Sequence, residues 1–442
     1  LVILSRYSDF LIASDYQFGF KAKRSTDMCT MILKESLSYY VNNGGSAYCT
    51  FLDATKAFDR VEYCKLFRQL MSRGFPPVII RLLLNMYVGH VTRVEWNCIL
   101  SQSFAVHNGV KQGGIVSPVL FCVYIDGLLQ SLVDLGVGCF MGDVFVGILA
   151  YADDIVLIAH TPNAMRIMLS KCDTYAKDFN VVFNASKPKC LFSTHRRRRQ
   201  LWLGQNPVFE INGQPIDYVD KWSHLGHIIS NDLDDKADIL QRRNVMAGQI
   251  NNVLCYFGKL DYSVKIKLLK SYCSSLYGSV LWDLSNPCIE SVCSSWRRGL
   301  RRIFGLPYNA HSSLLPVLSC SLPVIDELFK RSVLFAQRCL LSDCALVRSV
   351  AFHSVVSSPM QSPMGKNVIS SCLHYKVVID DFMLINYRYI SNFVFSKIDN
   401  DTFIIVNMLL ELFSIRSGNF RFTSSNLSVS DSQLFIDWLS AL

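Results

Sequence analysis

Residues 145–160 read FVGILAYADDIVLIAH, two short runs rich in Val, Ile and Leu that meet at the adjacent carboxylates Asp153 and Asp154. Runs of this length and composition, 145–151 and 155–159, predict the two strands of a buried hairpin. Two like charges at the tip of an apolar hairpin are unfavourable unless water solvates them or a cation neutralises them. Hard dications such as Mg²⁺ take oxygen ligands, usually one or two protein carboxylates completed by water and substrate phosphates. The pair is therefore either a solvated turn or a Mg²⁺ site awaiting a phosphate-bearing substrate. The second reading requires a third carboxylate and a nucleic-acid surface elsewhere in the chain.

Residues 47–53, AYCTFLD, form a short strand pattern that ends on Asp53. An Asp at the carboxyl end of a core strand points to the crevice where ligands sit, which makes it the candidate third carboxylate. The following segment reads as a turn and then a helix with Val61, Cys64, Leu66, Phe67 and Leu70 inward, stopped at Gly74. Asp59 is expected in that helix's first turn, where its charge suits the macrodipole.

Upstream, QFGFKAKRST (17–26) precedes an amphipathic helix for which Ser25 is the expected N-cap. Downstream, Pro76 and Pro77 start a helix that runs to about Tyr87, and 92–100 is strand-like. In NGVKQGGIVSPVLF (108–121), Gly113 and Gly114 allow close backbone approach and Gln112 offers both a donor and an acceptor. Ser117 and Pro118 are expected as N-cap and first helical residue. A Gly-Gly loop before a helix is by itself only a turn signal.

Farther on, 163–181 is an amphipathic helix and Glu210-Ile211-Asn212-Gly213 a tight hairpin. Leu240, Met246, Ile250, Val253, Leu254 and Phe257 mark one helix, and 265–282 a second. In SWRRGLRRIFG, Arg297, Arg298, Arg301 and Arg302 share one arc while Trp296, Leu300, Ile303 and Phe304 share the other. Such a basic amphipathic helix suits nucleic acid or a membrane surface, and with no lipid motif present nucleic acid is favoured. A Ser/Pro-rich linker is expected near 354–365, and 375–442 yields no chemistry.

Charge placement supports the nucleic-acid reading. Of a net charge of +9, the stretch 187–302 holds +8, from 18 Lys and Arg against 10 Asp and Glu. It includes the run Arg196–Arg199, which is either a solvated loop or a phosphate contact. Half of the 442 residues are apolar and 18% are charged, which predicts a folded chain of two to four domains. Its sixteen Cys lie scattered among apolar residues without a C-x-x-C, as in reduced intracellular proteins; zinc is not expected, and His224 and His227 are given a structural role. No signal peptide or membrane span is read. The first Met is Met28, so the expectation is a chain lacking its natural N-terminus.

FLDATKAFD, NGVKQGGIVSPVLF and YADD, in this order, resemble the palm motifs of reverse transcriptases, most closely those of retrotransposons without long terminal repeats. QFGFKAKRST, NASKPK and the HLG of 224–226 match the same family, and LYGSVLWD and the basic helix match it more loosely. The resemblance implies an α+β right-hand polymerase. Partial fingers would occupy 1–46 and a palm 47–200; the primer grip and helical thumb would occupy 201–310, and a C-terminal helical region 311–442. It implies that Asp53, Asp153 and Asp154 hold two Mg²⁺ ions, with Mn²⁺ as a substitute, and that the Ala54 carbonyl completes the nucleotide-side ion. Phe58 would be the steric gate against a 2′-hydroxyl. Gln112 and Gly113 would contact nucleotide and template, and Tyr151 the primer end. Lys187 would protonate pyrophosphate, with Lys189 in its place if the register shifts. Arg24, Leu225, Gly226 and the four arginines of the basic helix would contact nucleic acid. The implied partners are an RNA template, a DNA primer or target, and dNTPs, within an intracellular retroelement ribonucleoprotein of nucleus and cytoplasm.

The leading expectation is an RNA-directed DNA polymerase. One alternative is a decayed copy that only binds nucleic acid, which the three preserved carboxylates argue against. A nucleotide cyclase on a related palm would have no use for the basic helix or the Gln112 loop.

Overall fold

The computed structural model of the protein describes residues 2–184, 188–195 and 206–395. The chain condenses into two compact units, one of Leu1–Asp234 with Cys339–Ser362 and one of Asp235–Arg338 with Pro363–Leu442. The described residues of 311–442, those up to 395, therefore divide between the units. The expected linker at 354–365 spans one of these crossings, although residues 353–357 form a π-helical turn there.

The first unit is built on β1 (Ser46–Asp53), whose residues 47–52 are all buried. An uninterrupted buried run is what a central strand needs, since both of its faces are covered. With β2 (Ile148–Tyr151), β3 (Asp154–Ala159), β4 (Lys189–Thr194) and β5 (Asp217–Tyr218), the sheet runs β5-β4-β1-β3-β2. All pairs are antiparallel except β4–β5.

The helices of this unit are α1 (Thr26–Asn42), α2 (Tyr63–Ser72), α3 (Pro77–Tyr87), α4 (Ser117–Asp134) and α5 (Pro162–Asp178). On one sheet face, Tyr48, Thr50 and Leu52 align with Ala159, Leu157 and Ile155 and join a core shared with α4 and α5. There the Thr50 hydroxyl donates to the Met165 sulfur at 3.3 Å. The opposite face is covered by α1, capped as expected by the Ser25 hydroxyl accepting from the Met28 N–H at 3.2 Å. α4 is long and apolar enough to cross a membrane by length and composition, but Leu120, Phe121, Tyr124, Leu128 and Leu132 are buried in this core.

Three expected elements differ. The helix α4 begins at Ser117 with Val116 as its cap residue; the Ser117 hydroxyl is 3.2 Å from the Tyr87 hydroxyl instead of capping. The strand expected at 92–100 is folded back at Asn97 and Cys98, both at positive φ, so that Glu95–Trp96 pairs with Ile99–Leu100. Two consecutive left-handed residues make the tight turn that reverses a hairpin. The helix expected over 265–282 stops at Cys273 after a π-helical turn, and Leu276 and Gly278 at positive φ end it.

In the second unit, α6 (Lys236–Phe257) packs on α7 (Ile289–Phe304). A Cβ at Gly299 would lie 2.7 Å from the Ile250 side chain, so glycine is what lets these helices approach so closely. α7 buries Val292, Trp296, Leu300 and Ile303 and ends at Gly305, whose φ of +66 is the left-handed helix stop.

Candidate active site

β2 ends at Tyr151 and β3 begins at Asp154, paired across the ladder, so Ala152 and Asp153 form a two-residue turn. Ala152 has φ +58, a left-handed conformation that is unfavourable by roughly 1–2 kcal/mol for a residue with a Cβ. On the other side of β3, Asp154 is the register partner of Asp53, the last residue of β1. Strand alternation places both on the face that carries Cys49, Phe51, Val156 and Ile158. Directly paired residues have Cβ atoms about 5 Å apart. The apolar hairpin and the distant strand end thus bring Asp53 beside Asp154, with Asp153 in the adjoining turn, and all three are half-buried.

The end of β1 is fixed beyond Asp53. The Asp53 carbonyl accepts from the Asn184 N–H at 2.9 Å, and the Thr55 N–H donates to the Val182 carbonyl at 2.8 Å. Ala54 bridges Phe183 between them. Cys29 of α1 is buried nearby; burial first, and then the charge of Asp154, pushes its thiol pKa up.

Three carboxylates offer only oxygen donors, the set that suits a hard dication. Among the described residues no group of three or more His, Cys, Asp or Glu is gathered tightly enough to hold an ion by itself. An ion held by Asp53, Asp153 and Asp154 would have to complete its shell with water and substrate oxygens.

Phe58 stands in a 3₁₀ turn (Phe58–Arg60) just past β1, its ring stacked on Phe121 at 4.8 Å and edge-on to Phe20 at 6.1 Å. The Gln112 loop closes on this turn. The Gly109 N–H donates to the Val61 carbonyl and the Val110 N–H to the Phe58 carbonyl, both at 2.8 Å. A Cβ at Gly109, whose φ is +91, would lie 2.9 Å from the Asp59 backbone. The Gln112 amide donates to the Asp59 carboxylate at 3.2 Å, so Asp59 holds this loop and does not begin a regular helix. Gln112 and Gly113 are exposed at its tip.

On the carboxylate face, strands β6 (Lys221–His224) and β7 (His227–Ser230) form a hairpin turned by Leu225 and Gly226, with φ of +48 and +76. Its Trp222 and His224 rings lie 6.1 and 5.4 Å from Phe51, two residues before Asp53. His224 is buried, and burial first, then His227 across the turn, lowers its pKa from the usual 6.5 to about 4. Above pH 6.5 both folded and unfolded chains hold it neutral and its contribution is fully present. Between 6.5 and 4 only the unfolded chain takes the proton, so as pH falls about 3 kcal/mol of stability is lost. Urea midpoints of the first unit are expected to drop between pH 7 and 4.5, and His224→Phe to flatten that drop; an equally steep drop in the variant would refute the assignment.

The remaining expected residues are placed as follows. Arg24 is engaged inside its own unit: it pairs with the Asp15 carboxylate at 2.8 Å, donates to the Cys344 sulfur and lies over the Phe18 ring. Its side chain is 12% exposed, and both terminal nitrogens of the guanidinium are engaged by Asp15 and Cys344. Lys187 and the run Arg196–Arg199 lie outside the described residues. Lys189, the substitute, pairs with Asp217 at 2.7 Å. On α7, Arg297 pairs with Glu290, Arg301 donates to the Ala310 carbonyl at 2.9 Å, and Arg302 donates to Asn251 at 2.5 Å. Arg298 and Arg302 are exposed.

Sequence reading missed Gln17 and Gly109. The QFGFKAKRST segment drew attention through its aromatic, glycine and basic residues, whereas its fully buried polar side chain is the Gln17 amide.

A mostly antiparallel sheet flanked by helices, with acidic residues converging at its strand ends, defines a mixed α+β fold of the polymerase type. The chain belongs to the reverse transcriptase family: the model for "Reverse transcriptase (RNA-dependent DNA polymerase)" matches residues 2–229. It is 28% identical over 184 residues to the Pol polyprotein of the type-2 retrotransposable element R2DM of Drosophila melanogaster, covering 41% of this chain and 17% of that protein. It is 23% identical over 342 residues to a probable RNA-directed DNA polymerase from the transposon X-element of the same species, covering 74% of this chain and 36% of that protein. The chain thus spans roughly a sixth to a third of the length of these relatives. Among solved structures, apo telomerase from Candida tropicalis is similar at 12% identity and a TM-score of 0.40, over 79% of this chain and 57% of that one.

Proposed function

We propose that the chain is the RNA-directed DNA polymerase core of a retrotransposon without long terminal repeats. It would add dNTPs to a DNA primer on an RNA template, within an intracellular ribonucleoprotein. The observation that carries this reading is the register pairing of Asp53 with Asp154 beside Asp153, within a chain of the reverse transcriptase family. In this reading residues 1–46 are partial fingers, 47–200 the palm, and 201–310 the primer grip and thumb.

Asp53 and Asp154, on two adjacent strands, and Asp153 in the turn would hold a pair of Mg²⁺ ions, with Mn²⁺ able to replace them. When bound, such ions lower the pKa of the attacking hydroxyl and neutralise charge on the transferred phosphate. The protein's own part is orientation. Pairing with Asp154 and the Asn184 N–H on its carbonyl fix Asp53, and the 152–153 turn aims its neighbours. The hairpin turned at 225–226 packs its Trp222 and His224 on the same sheet face, and its tip would support the primer end beside Tyr151. The Ala54 carbonyl and the Gln112–Gly113 tip border the place where the incoming nucleotide would sit. Lys187 is the proposed donor to departing pyrophosphate, and Arg298 and Arg302 the proposed phosphate contacts.

Phe58, with its ring fixed by Phe121, is proposed to stand beneath the sugar. Phe58→Val is expected to relax discrimination against ribonucleotides by roughly tenfold or more, because the excluded volume is what rejects the 2′-hydroxyl. Single-nucleotide extension with rNTP and dNTP measures it, and an unchanged ratio would remove Phe58 from this role.

The test of the function is Mg²⁺-dependent extension of a primed RNA template by the purified chain, set against Asp153→Ala/Asp154→Ala. Equal extension by the two proteins would sink the reading.

A further inference from the structure

The turn that carries Asp153 is held from one side by a side chain with no assigned role. Gln17 is completely buried and lies in an isolated parallel bridge with Ala150 on β2. Backbone hydrogen bonds seat its segment there: the Phe18 N–H donates to the Ala150 carbonyl, and the Ala150 N–H to the Tyr16 carbonyl, both at 2.8 Å. The Gln17 carboxamide then reaches past the end of the strand. Its Oε1 accepts from the Ala152 N–H at 2.9 Å and the Gly19 N–H at 2.8 Å, and its Nε2 donates to the Ala152 carbonyl at 3.3 Å. Both backbone polar groups of Ala152, the residue at φ +58, are thus held by one amide. Gly19 completes the fit, because a Cβ there would lie 2.5 Å from the Ala152 nitrogen.

We infer that Gln17 is a positioning residue for the metal-binding carboxylates, acting through Ala152. The inference rests on the polymerase reading and deepens it. A non-glycine residue stays in a left-handed turn only while its surroundings over-determine that conformation. Without the amide, Ala152 has reason to rotate to negative φ, and the next residue to move is Asp153, with Asp154 after it. Asp53 has a tie of its own, since its carbonyl accepts from the Asn184 N–H at 2.9 Å and β1 is paired on both sides as far as Phe51. The consequence falls on how well the two adjacent carboxylates converge with Asp53, and therefore on metal affinity. Template binding is not expected to change.

The test uses the whole chain with template–primer and two substitutions. Gln17→Met keeps the volume and removes all three hydrogen bonds; Gln17→Glu keeps the acceptor and turns an oxygen toward the Ala152 carbonyl. Mn²⁺ affinity, read by electron paramagnetic resonance titration, is expected to fall about 10- to 100-fold in Gln17→Met, the usual effect of losing a group that orients ligands. The Mg²⁺ concentration for half-maximal extension is expected to rise in parallel, with template–primer Kd unchanged. Adding Ala152→Gly is expected to restore most of the affinity, because glycine occupies the left-handed position without a Cβ clash. A purely structural role predicts a lower unfolding temperature, unchanged Mn²⁺ affinity and no recovery with Ala152→Gly. If Gln17→Met does not fold, Gln17→Glu decides, with a smaller loss in the same direction. Wild-type affinity in the folded variants, beside an active wild type, overturns the inference alone. A wild type that neither binds Mn²⁺ nor extends a primer overturns the polymerase reading itself.

Discussion

Alanine at both Asp153 and Asp154 is expected to lower Mg²⁺-dependent extension of a primed RNA template by about 10³-fold or more. Metal stabilisation of a transferring phosphoryl group is worth several kcal/mol, and each 1.36 kcal/mol of barrier is a factor of about ten. Removing two of three carboxylates leaves Asp53 as the only acidic residue of the trio, too few to hold ions at the reacting oxygens. The loss should not come from unfolding. The variant relieves the repulsion between two neighbouring like charges, and β2 and β3 keep the apolar pairs Ile148–Leu157, Leu149–Val156 and Ala150–Ile155. Circular dichroism and template–primer binding are therefore expected to match wild type while single-turnover extension collapses. Extension within tenfold of wild type would remove these aspartates from the chemistry.

The carboxylate trio was legible because each member ends an apolar run: strand alternation and burial force such a residue to the rim of the sheet, where the three meet. The role expected of Phe58 came only from family motifs, whereas Gln112 also stood out by its amide beside two glycines. What joins them, Gly109 closing on Asp59, is a backbone approach that no side-chain pattern announces. Gln17 was hidden for a related reason. Its role depends on a backbone conformation at Ala152 that is set over a hundred positions away in sequence. Arg24 is paired with Asp15, a partner that charge in a basic segment does not announce. The break at 276–278 was missed because the apolar spacing of 265–282 continues through it, while a left-handed Leu276 gives no warning in composition.

The LYGSVLWD segment carries the second large prediction through its tryptophan. Trp282 is fully buried in the second unit, and its indole N–H donates to the Asp238 carboxylate, also fully buried, at 2.7 Å. The Asn367 amide donates to the Trp282 carbonyl at 2.7 Å, and its carbonyl accepts from the Leu284 N–H at 2.9 Å. Three segments distant in sequence are thereby pinned at one tryptophan. Trp282→Ala opens a cavity that costs about 3–5 kcal/mol and takes a donor from a buried carboxylate, a further 1–3 kcal/mol. The sum rivals the whole stability of an ordinary domain, about 5–15 kcal/mol, so the second unit is expected to unfold at least in part. Trp282→Phe separates the two effects, since it fills most of the space and loses only the N–H, for about 1–3 kcal/mol. Urea unfolding and limited proteolysis across 235–338 would rank wild type above Trp282→Phe and Trp282→Ala last. Equal losses in the two variants would mean that the hydrogen bond to Asp238, and not the packing of the ring, holds this unit together.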